Sequence, residues 1–216
     1  MLDADEMHHC IHVLRHKAGD TVHVTDGKGA LYLVKLESIS KSGALFNVIS
    51  NSQLPDLGDN TGIAFGLTKS MDRMEWFVEK AVELGISHIY FYHSHRSERS
   101  KLNLDKIQKT AVSAMKQARH GHLPEIQMYA SLKQLTQGVP HFDHKFIAIC
   151  HTPAPSLSSQ LPLPGSKIVI IGPEGDFTSE EITHAVAEGY REISMGNTIL
   201  RAETAGIVAS SLIKLC

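Results

Sequence analysis

The first fifty residues alternate polar and apolar positions with period two. Thr21-Val22-His23-Val24-Thr25 runs into Asp26-Gly27-Lys28-Gly29, and an Asp-Gly pair beside alternating residues signals a hairpin turn. Leu31 to Glu37 and Leu45 to Ile49 read as further strands, with Ser42-Gly43 at the turn between them. The pattern predicts a small antiparallel, barrel-like β unit. Ahead of it, His9 to Arg15 reads as a short helix that Gly19 is placed to end. From Asn51 to Asn60 the chain has turn formers and no period, so the boundary between two domains, 1–60 and 61–216, falls there.

Beyond the boundary, strand and helix patterns alternate. Ile63 to Leu67 predicts a strand, and Met71 to Leu84 a helix with Met74, Phe77, Val78, Ala81 and Val82 on one face and Gly85 just past its end. Ile86 to Tyr92 is the next strand. Leu104 to Arg119 is the next helix, with Ile107, Ala111, Ala114, Met115 and Ala118 on its apolar face. Phe146 to Cys150 and Ile168 to Ile171 read as short buried strands. Thr178 with Glu181 three positions on is a capping box for a helix that Gly189 closes. Glu192 to Met195 and Glu203 to Leu215 complete the series as strand and helix. Such alternation predicts an α/β fold with a mostly parallel sheet covered on both faces.

Composition narrows the class. With 42% hydrophobic and 20% charged residues among 216, the chain has the makings of a packed core and not of a disordered or fibrous protein. No apolar run approaches the roughly 18 residues that span a bilayer. The opening Met-Leu-Asp-Ala-Asp-Glu is acidic where a secretory signal is basic, so a cytoplasmic protein without membrane association is expected. Cys10, Cys150 and Cys216 stand far apart, which argues against a disulfide framework or a cysteine zinc site. Fourteen histidines include His8, His12 and His16 at helical spacing and the pairs His93/His95 and His120/His122. Without cysteines or a carboxylate pattern they predict no metal site and read as surface groups. Net charge is −2, yet residues 69–119 hold ten basic against six acidic side chains, a local excess suited to phosphate.

In open parallel sheets, ligands bind beyond the carboxyl ends of the strands. Three unusual loops lie there: Cys150-His151-Thr152-Pro153, Gly172-Pro173-Glu174-Gly175-Asp176, and Gly196 to Thr204. Glycines that let backbone approach a ligand and glycines that merely make a turn share this spacing. Ile199 and Leu200 beside Arg201 and Glu203 suit an apolar clamp on a flat ring next to a cation, or a helix cap with Glu203 at the positive end. No G-x-G-x-x-G follows a strand and no G-x-x-x-x-G-K-[ST] occurs, which disfavours Rossmann cofactors and P-loop nucleotides.

Several segments in order resemble one family. Ile-Gly-Pro-Glu-Gly at 171–175 with Phe177 and Ser179-Glu180-Glu181-Ile182, and Met-Gly-Asn-Thr-Ile-Leu-Arg-Ala-Glu-Thr-Ala at 195–205, resemble the two signature loops of the RsmE methyltransferases, members of the SPOUT superfamily. His8 to Arg15 with Lys17-Ala18-Gly19-Asp20 and Asp26-Gly27-Lys28-Gly29 resembles that family's PUA-like domain. Lys69 to Trp76, Glu83-Leu84-Gly85 and Ser97-Glu98-Arg99-Ser100 resemble its central signatures. The resemblance implies a parallel sheet tied into a C-terminal trefoil knot behind a small N-terminal PUA-like β-barrel. It also implies a homodimer that uses S-adenosylmethionine to methylate N3 of a uridine, position 1498, in the 16S ribosomal RNA of the small subunit.

By position, Ile171, Gly172, Pro173, Gly175, Met195, Gly196, Ile199, Leu200 and Thr204 are then the candidate cofactor contacts. Arg201 is the candidate for stabilising charge on the uracil, and Glu174 or Glu203 for accepting the N3 proton. Arg15, Lys69, Arg73, Arg96, Arg99, Gln117 and Arg119 are candidate RNA contacts, the last four expected near the mouth of the site. A knotted methyltransferase of another RNA, such as transfer RNA, and a non-catalytic RNA-binding relative are the alternatives. Asp176 stands where the family has a second glycine, Met195 stands where leucine is usual, and Lys116 to Arg119 match the family's helix end in part. The family's opening β segment before the His-His pair is absent, so an incomplete N-terminal domain is expected.

Overall fold

The structure, a computed structural model, describes residues 4–40, 43–58, 60–98, 101–150 and 154–216. It divides into two compact units, Met1–Asp56 and Leu57–Cys216, within the polar stretch where the sequence loses its period.

The first unit opens with α1 (Ala4–His8), which continues as a π-helical turn over His9–Val13. The helix thus begins earlier and ends earlier than its sequence pattern predicts. His16 lies beyond it and contacts Asp20 at 3.3 Å instead of extending a histidine face. Gly19 does not end the helix: at φ +102° it turns the chain so that its amide donates to the Leu36 carbonyl at 2.7 Å. β1 (Thr21–Thr25), β2 (Ala30–Ser40) and β3 (Gly43–Gln53) form an antiparallel sheet in that order. The Asp26-Gly27 turn is present, with Asp26 Oδ1 accepting from the Lys28 amide at 2.7 Å and the Ala30 amide at 3.2 Å. β3 extends through Asn51–Gln53, where turn-forming residues suggest a loop, because β2 supplies ladder partners as far as Ala30↔Gln53. Val34 and Leu36 are buried in this unit with Cys10.

The second unit is built on β4 (Thr61–Gly66), β5 (His88–Tyr92), β6 (Glu125–Tyr129), β7 (His144–Ala148), β8 (Lys167–Ile171) and β9 (Arg191–Ile193). Their order in the sheet is β6-β5-β4-β8-β7-β9, and every pair is parallel. Every residue of the central strands β4 and β8 is buried, as expected for strands covered on both faces. Alternate residues serve alternate faces. Ile63, Phe65, Phe91, Val169 and Ile171 meet α2 (Met71–Glu83), α3 (Leu104–Ala118) and α6 (Ala202–Leu215). Ala64, Tyr90, Tyr92, Ile168 and Ile170 meet α4 (Leu132–Gly138) and α5 (Ser179–Ala187). Each buried Ile, Val or Phe stabilises the fold by roughly 1.5–3 kcal/mol relative to exposure.

The predicted faces of α2 and α3 are the buried ones, apart from half-buried Ala118. β6 and α4 are additions to the expected series. β6 is an edge strand with only partial burial, and α4 is seven residues long, so neither carries a strong period. No helix among the described residues is long and apolar enough to cross a membrane.

Candidate active site

The strands all point one way, so the loops leaving β4, β5, β7, β8 and β9 gather at one edge of the sheet. Between the ends of β7, β8 and β9 lies a cavity of about 360 Å³. Its wall takes Ala148 and Cys150 from the first loop, Ile171 to Glu174 from the second, and Ser194 to Ala202 from the third. His151, Thr152 and Pro153 lie outside the described residues.

Close backbone approaches shape this wall. A Cβ on Gly66, at the end of β4, would stand 2.9 Å from the Pro173 ring and nitrogen, and one on Gly172 would stand 3.0 Å from the Phe177 ring. At Gly66 the approach to the Pro173 backbone is closer than a Cβ tolerates, so glycine there is a packing requirement, and at Gly172 a side chain would require the Phe177 ring to give way. The Tyr92 hydroxyl donates to the Ile171 carbonyl at 2.9 Å and pins the end of β8. Asp176 sits at φ +59°, the left-handed region that favours glycine and that Asp tolerates. Its amide donates to the Pro173 carbonyl at 3.0 Å and its Oδ1 accepts from the Phe177 amide at 2.8 Å. The aspartate thus closes the turn through its own backbone and side chain. Burial, and then the nearby Asp176 charge, push the Cys150 thiol up, leaving it neutral at the cavity edge.

Among the candidate cofactor contacts, Ile171, Gly172, Pro173, Met195, Gly196, Ile199 and Leu200 line the cavity, with Ile199 85% exposed at the rim. Gly175 and Thr204 lie outside the lining. Gly175 instead passes behind it against Arg96: the Arg96 Nη1 donates to the Gly175 carbonyl at 2.9 Å, and a Cβ on Gly175 would meet the Arg96 Cβ at 2.9 Å. Thr204 is exposed on the first turn of α6.

The three candidate catalytic residues separate. Arg201 and Glu174 are on the cavity wall, Arg201 as the N-cap residue of α6, whose side chain makes no capping bond among the described residues. Glu174 Oε1 accepts from the Lys69 amide at 3.2 Å, tying the β4 loop to the β8 loop. Glu203 turns away from the wall. It is 8% exposed, its Oε1 lies 3.6 Å from the Arg73 Nε of α2, and its buried Oε2 has no hydrogen-bond partner among the described residues.

Lys69, Arg73 and Arg96 also stand at this edge, Lys69 paired with Glu98 at 3.2 Å. Gln117 and Arg119 do not lie near the mouth. α3 runs antiparallel to the strands, so its end returns to their amino edge, where His120 Nε2 contacts the Val82 carbonyl at the end of α2 at 2.7 Å. Position in sequence cannot reveal this reversal without the strand-to-helix geometry. Part of the basic excess is consumed internally, Lys80 by Glu79 and Glu83 and Lys106 by Glu75. Arg15 belongs to the first unit, at φ +59°, and Arg99 lies outside the described residues. Among the described residues no group of three side chains is placed to hold a metal ion.

Residues 57–214 match the RNA methyltransferase domain family, and residues 2–49 the RNA methyltransferase PUA domain family. The chain is 27% identical over 226 residues to the ribosomal RNA small subunit methyltransferase E of Bacillus subtilis (strain 168), covering 98% of this chain and 88% of that protein. Its structure is similar to the crystal structure of a probable rRNA-methyltransferase from Porphyromonas gingivalis, with a TM-score of 0.90, 31% identity and coverage of 98% and 91%. It also shares its fold with the ribosomal RNA small subunit methyltransferase E from Neisseria gonorrhoeae solved with S-adenosyl methionine bound, at a TM-score of 0.84, 23% identity and coverage of 98% and 89%.

Proposed function

Because this chain belongs to the RNA methyltransferase family that includes the small-subunit ribosomal RNA methyltransferases E, we propose that it methylates N3 of a uridine in 16S ribosomal RNA with S-adenosylmethionine. The observation that carries this reading is the cavity at the carboxyl edge, which sets an apolar seat beside Arg201 and the carboxylates of Glu174 and Asp176.

The residues present suit the cofactor. Ile171, Met195 and Leu200 offer apolar surface to a flat purine, and the backbone of Gly172, Pro173 and Gly196 lies open to its polar edges. Ile199 covers the rim, while Gly175 and Thr204 support the loops from behind. S-adenosylmethionine supplies an electrophilic methyl group. The chain must hold the uridine against it and favour loss of the N3 proton, which neutral uridine retains at ordinary pH. Arg201 stabilises the negative charge that develops on the uracil oxygens. Glu174, whose carboxylate stands on the wall, accepts the N3 proton, while Asp176 on the same wall is engaged by the Phe177 amide. Glu203, paired with Arg73, acts by holding the start of α6.

The RNA approaches along the carboxyl edge over Lys69, Arg73 and Arg96, and Arg15 adds a contact from the PUA-like unit. That unit, residues 1–60, closes as a small β-barrel, a reading supported by the two register shifts that bend β2 against β3. In residues 61–216, β8 lies between β4 and β7 while α6 returns to β4 and β8, which supports a C-terminal SPOUT trefoil knot. Exposed Ile199 at the rim supports a homodimer in which the second chain completes the site. The reaction takes place in the cytoplasm, on 16S RNA in the small ribosomal subunit.

The test is nucleoside mass spectrometry after incubation with S-adenosylmethionine and, in parallel, unmodified small subunits, naked 16S RNA and bulk transfer RNA. New 3-methyluridine confined to the ribosomal substrates is expected. Methylation of transfer RNA alone would overturn the substrate assignment, and no product anywhere would overturn the enzyme.

A further inference from the structure

The carboxyl edge carries a second hollow, of about 420 Å³, between the ends of β5 and β6 and the first turns of α4 and α5. The helices that border it cover the opposite sheet face from α2, α3 and α6. Its wall brings together His93, His95, Leu132, Lys133, Glu180 and His184. These include two of the histidines whose sequence pattern predicts no metal.

The polar groups here divide into engaged and open ones. Glu181 is saturated: its Oε1 accepts from the Ser94 hydroxyl at 2.9 Å and the His95 amide at 3.0 Å, and its Oε2 from the Thr178 amide at 2.9 Å. His184 Nε2 is held by Thr136 Oγ1 at 2.9 Å, with Glu188 at 4.0 Å. Hydrogen bonds from its own amide and from Thr178, helped by the nearby His95 and Arg96, hold the Glu180 carboxyl below its ordinary value, so it remains an acceptor. The hollow therefore presents imidazole rings to a flat ring, a carboxylate to hydrogen-bond donors, and a lysine to an anion. A ring, an amino group and a phosphate together describe a nucleotide.

We propose that this hollow is a second nucleotide subsite, which holds an unpaired, amino-bearing base of the RNA next to the target uridine. The assignment rests on the RNA methyltransferase reading above. Unstacked RNA bases are held by stacking on aromatic side chains, histidine included, and carboxylates accept from the cytosine amino group. The 172–178 segment separates the hollow from the cofactor cavity, and Arg96 spans that segment through the Gly175 carbonyl. Two nucleotides of one strand thus reach two cavities on the same edge.

The experiment compares the wild type with the His95→Ala/Lys133→Ala double variant and with Glu180→Gln, on small ribosomal subunits lacking the methyl group. Stacking worth about 1–3 kcal/mol per base corresponds to a KM increase of roughly five-fold or more in the double variant, with kcat and S-adenosylmethionine affinity by calorimetry preserved. Short RNAs carrying 5-iodocytidine beside the target should cross-link to residues 93–98 or 130–133, and Glu180→Gln should lose the preference for cytidine over uridine there. An unchanged KM, or cross-links confined to 171–176 and 195–201, would overturn the subsite. A wild type that neither binds S-adenosylmethionine nor transfers methyl would overturn the underlying reading, and the subsite with it.

Discussion

Arg201 and Glu203 stand two positions apart, yet the start of α6 sends them to different surroundings. Arg201 faces the cavity and Glu203 faces Arg73. Arg201→Ala should keep S-adenosylmethionine binding by calorimetry and lower methyl transfer by about 100-fold or more, the usual loss for one donor at a developing oxyanion. Gly172→Val should lose cofactor binding as well, because its side chain would have to displace the Phe177 ring. Arg73→Ala leaves the buried Glu203 carboxylate without its cation. With Arg73 itself half-exposed and the gap 3.6 Å, the expected cost in urea unfolding is about 1–3 kcal/mol, and further substitution of Glu203→Gln should recover part of it. Asp176 shows how a residue type carries conformational information. Its φ of +59° is a conformation that glycine adopts freely and Asp tolerates, and no string of letters displays that torsion.

Elements were legible where one period dominates. α2 and α3 bury the faces that their spacing marks, and the Thr178–Glu181 capping box is present with both of its bonds. β6 and α4 escaped because an exposed edge strand needs few apolar residues and a two-turn helix gives its period little room. The starts of β7 and β8 are joined by Asp143, whose Oδ2 accepts from the Ser166 hydroxyl at 2.7 Å and amide at 2.8 Å. Those bonds, the hydroxyl first, hold its carboxyl below the ordinary value. A carboxyl depressed by folding contributes stability that is complete above its unfolded value of 3.8 and is lost as pH falls through the folded value. Melting temperature should therefore fall more steeply in the wild type than in Asp143→Asn between about pH 4 and pH 2. Parallel slopes would remove the Ser166 contact from the acid limb.

At the scale of the molecule, the site is assembled from segments ending at Ala148, Ile171 and Ile193, brought together because β8 enters the sheet between β4 and β7. The same strand order leaves the cavity rim open at Ile199. Sedimentation equilibrium should give twice the chain mass of 23.7 kDa, and Ile199→Asp should shift the protein toward monomer and reduce methyl transfer with it. A monomeric, fully active wild type would reject the shared site.

The local elements and the chemistry-bearing loops were determined by sequence, since hydrophobic period, caps and turn residues act within a few positions and need no partner. Family membership followed from the order of several such segments. Which side each residue serves was decided by tertiary structure alone. Glu203 left the wall, Gly175 packed on Arg96, and Gln117 and Arg119 were carried to the far edge by the direction of α3. Those outcomes depend on strand order and helix direction, which arise from contacts between segments distant in the chain and leave no mark in the spacing of neighbours.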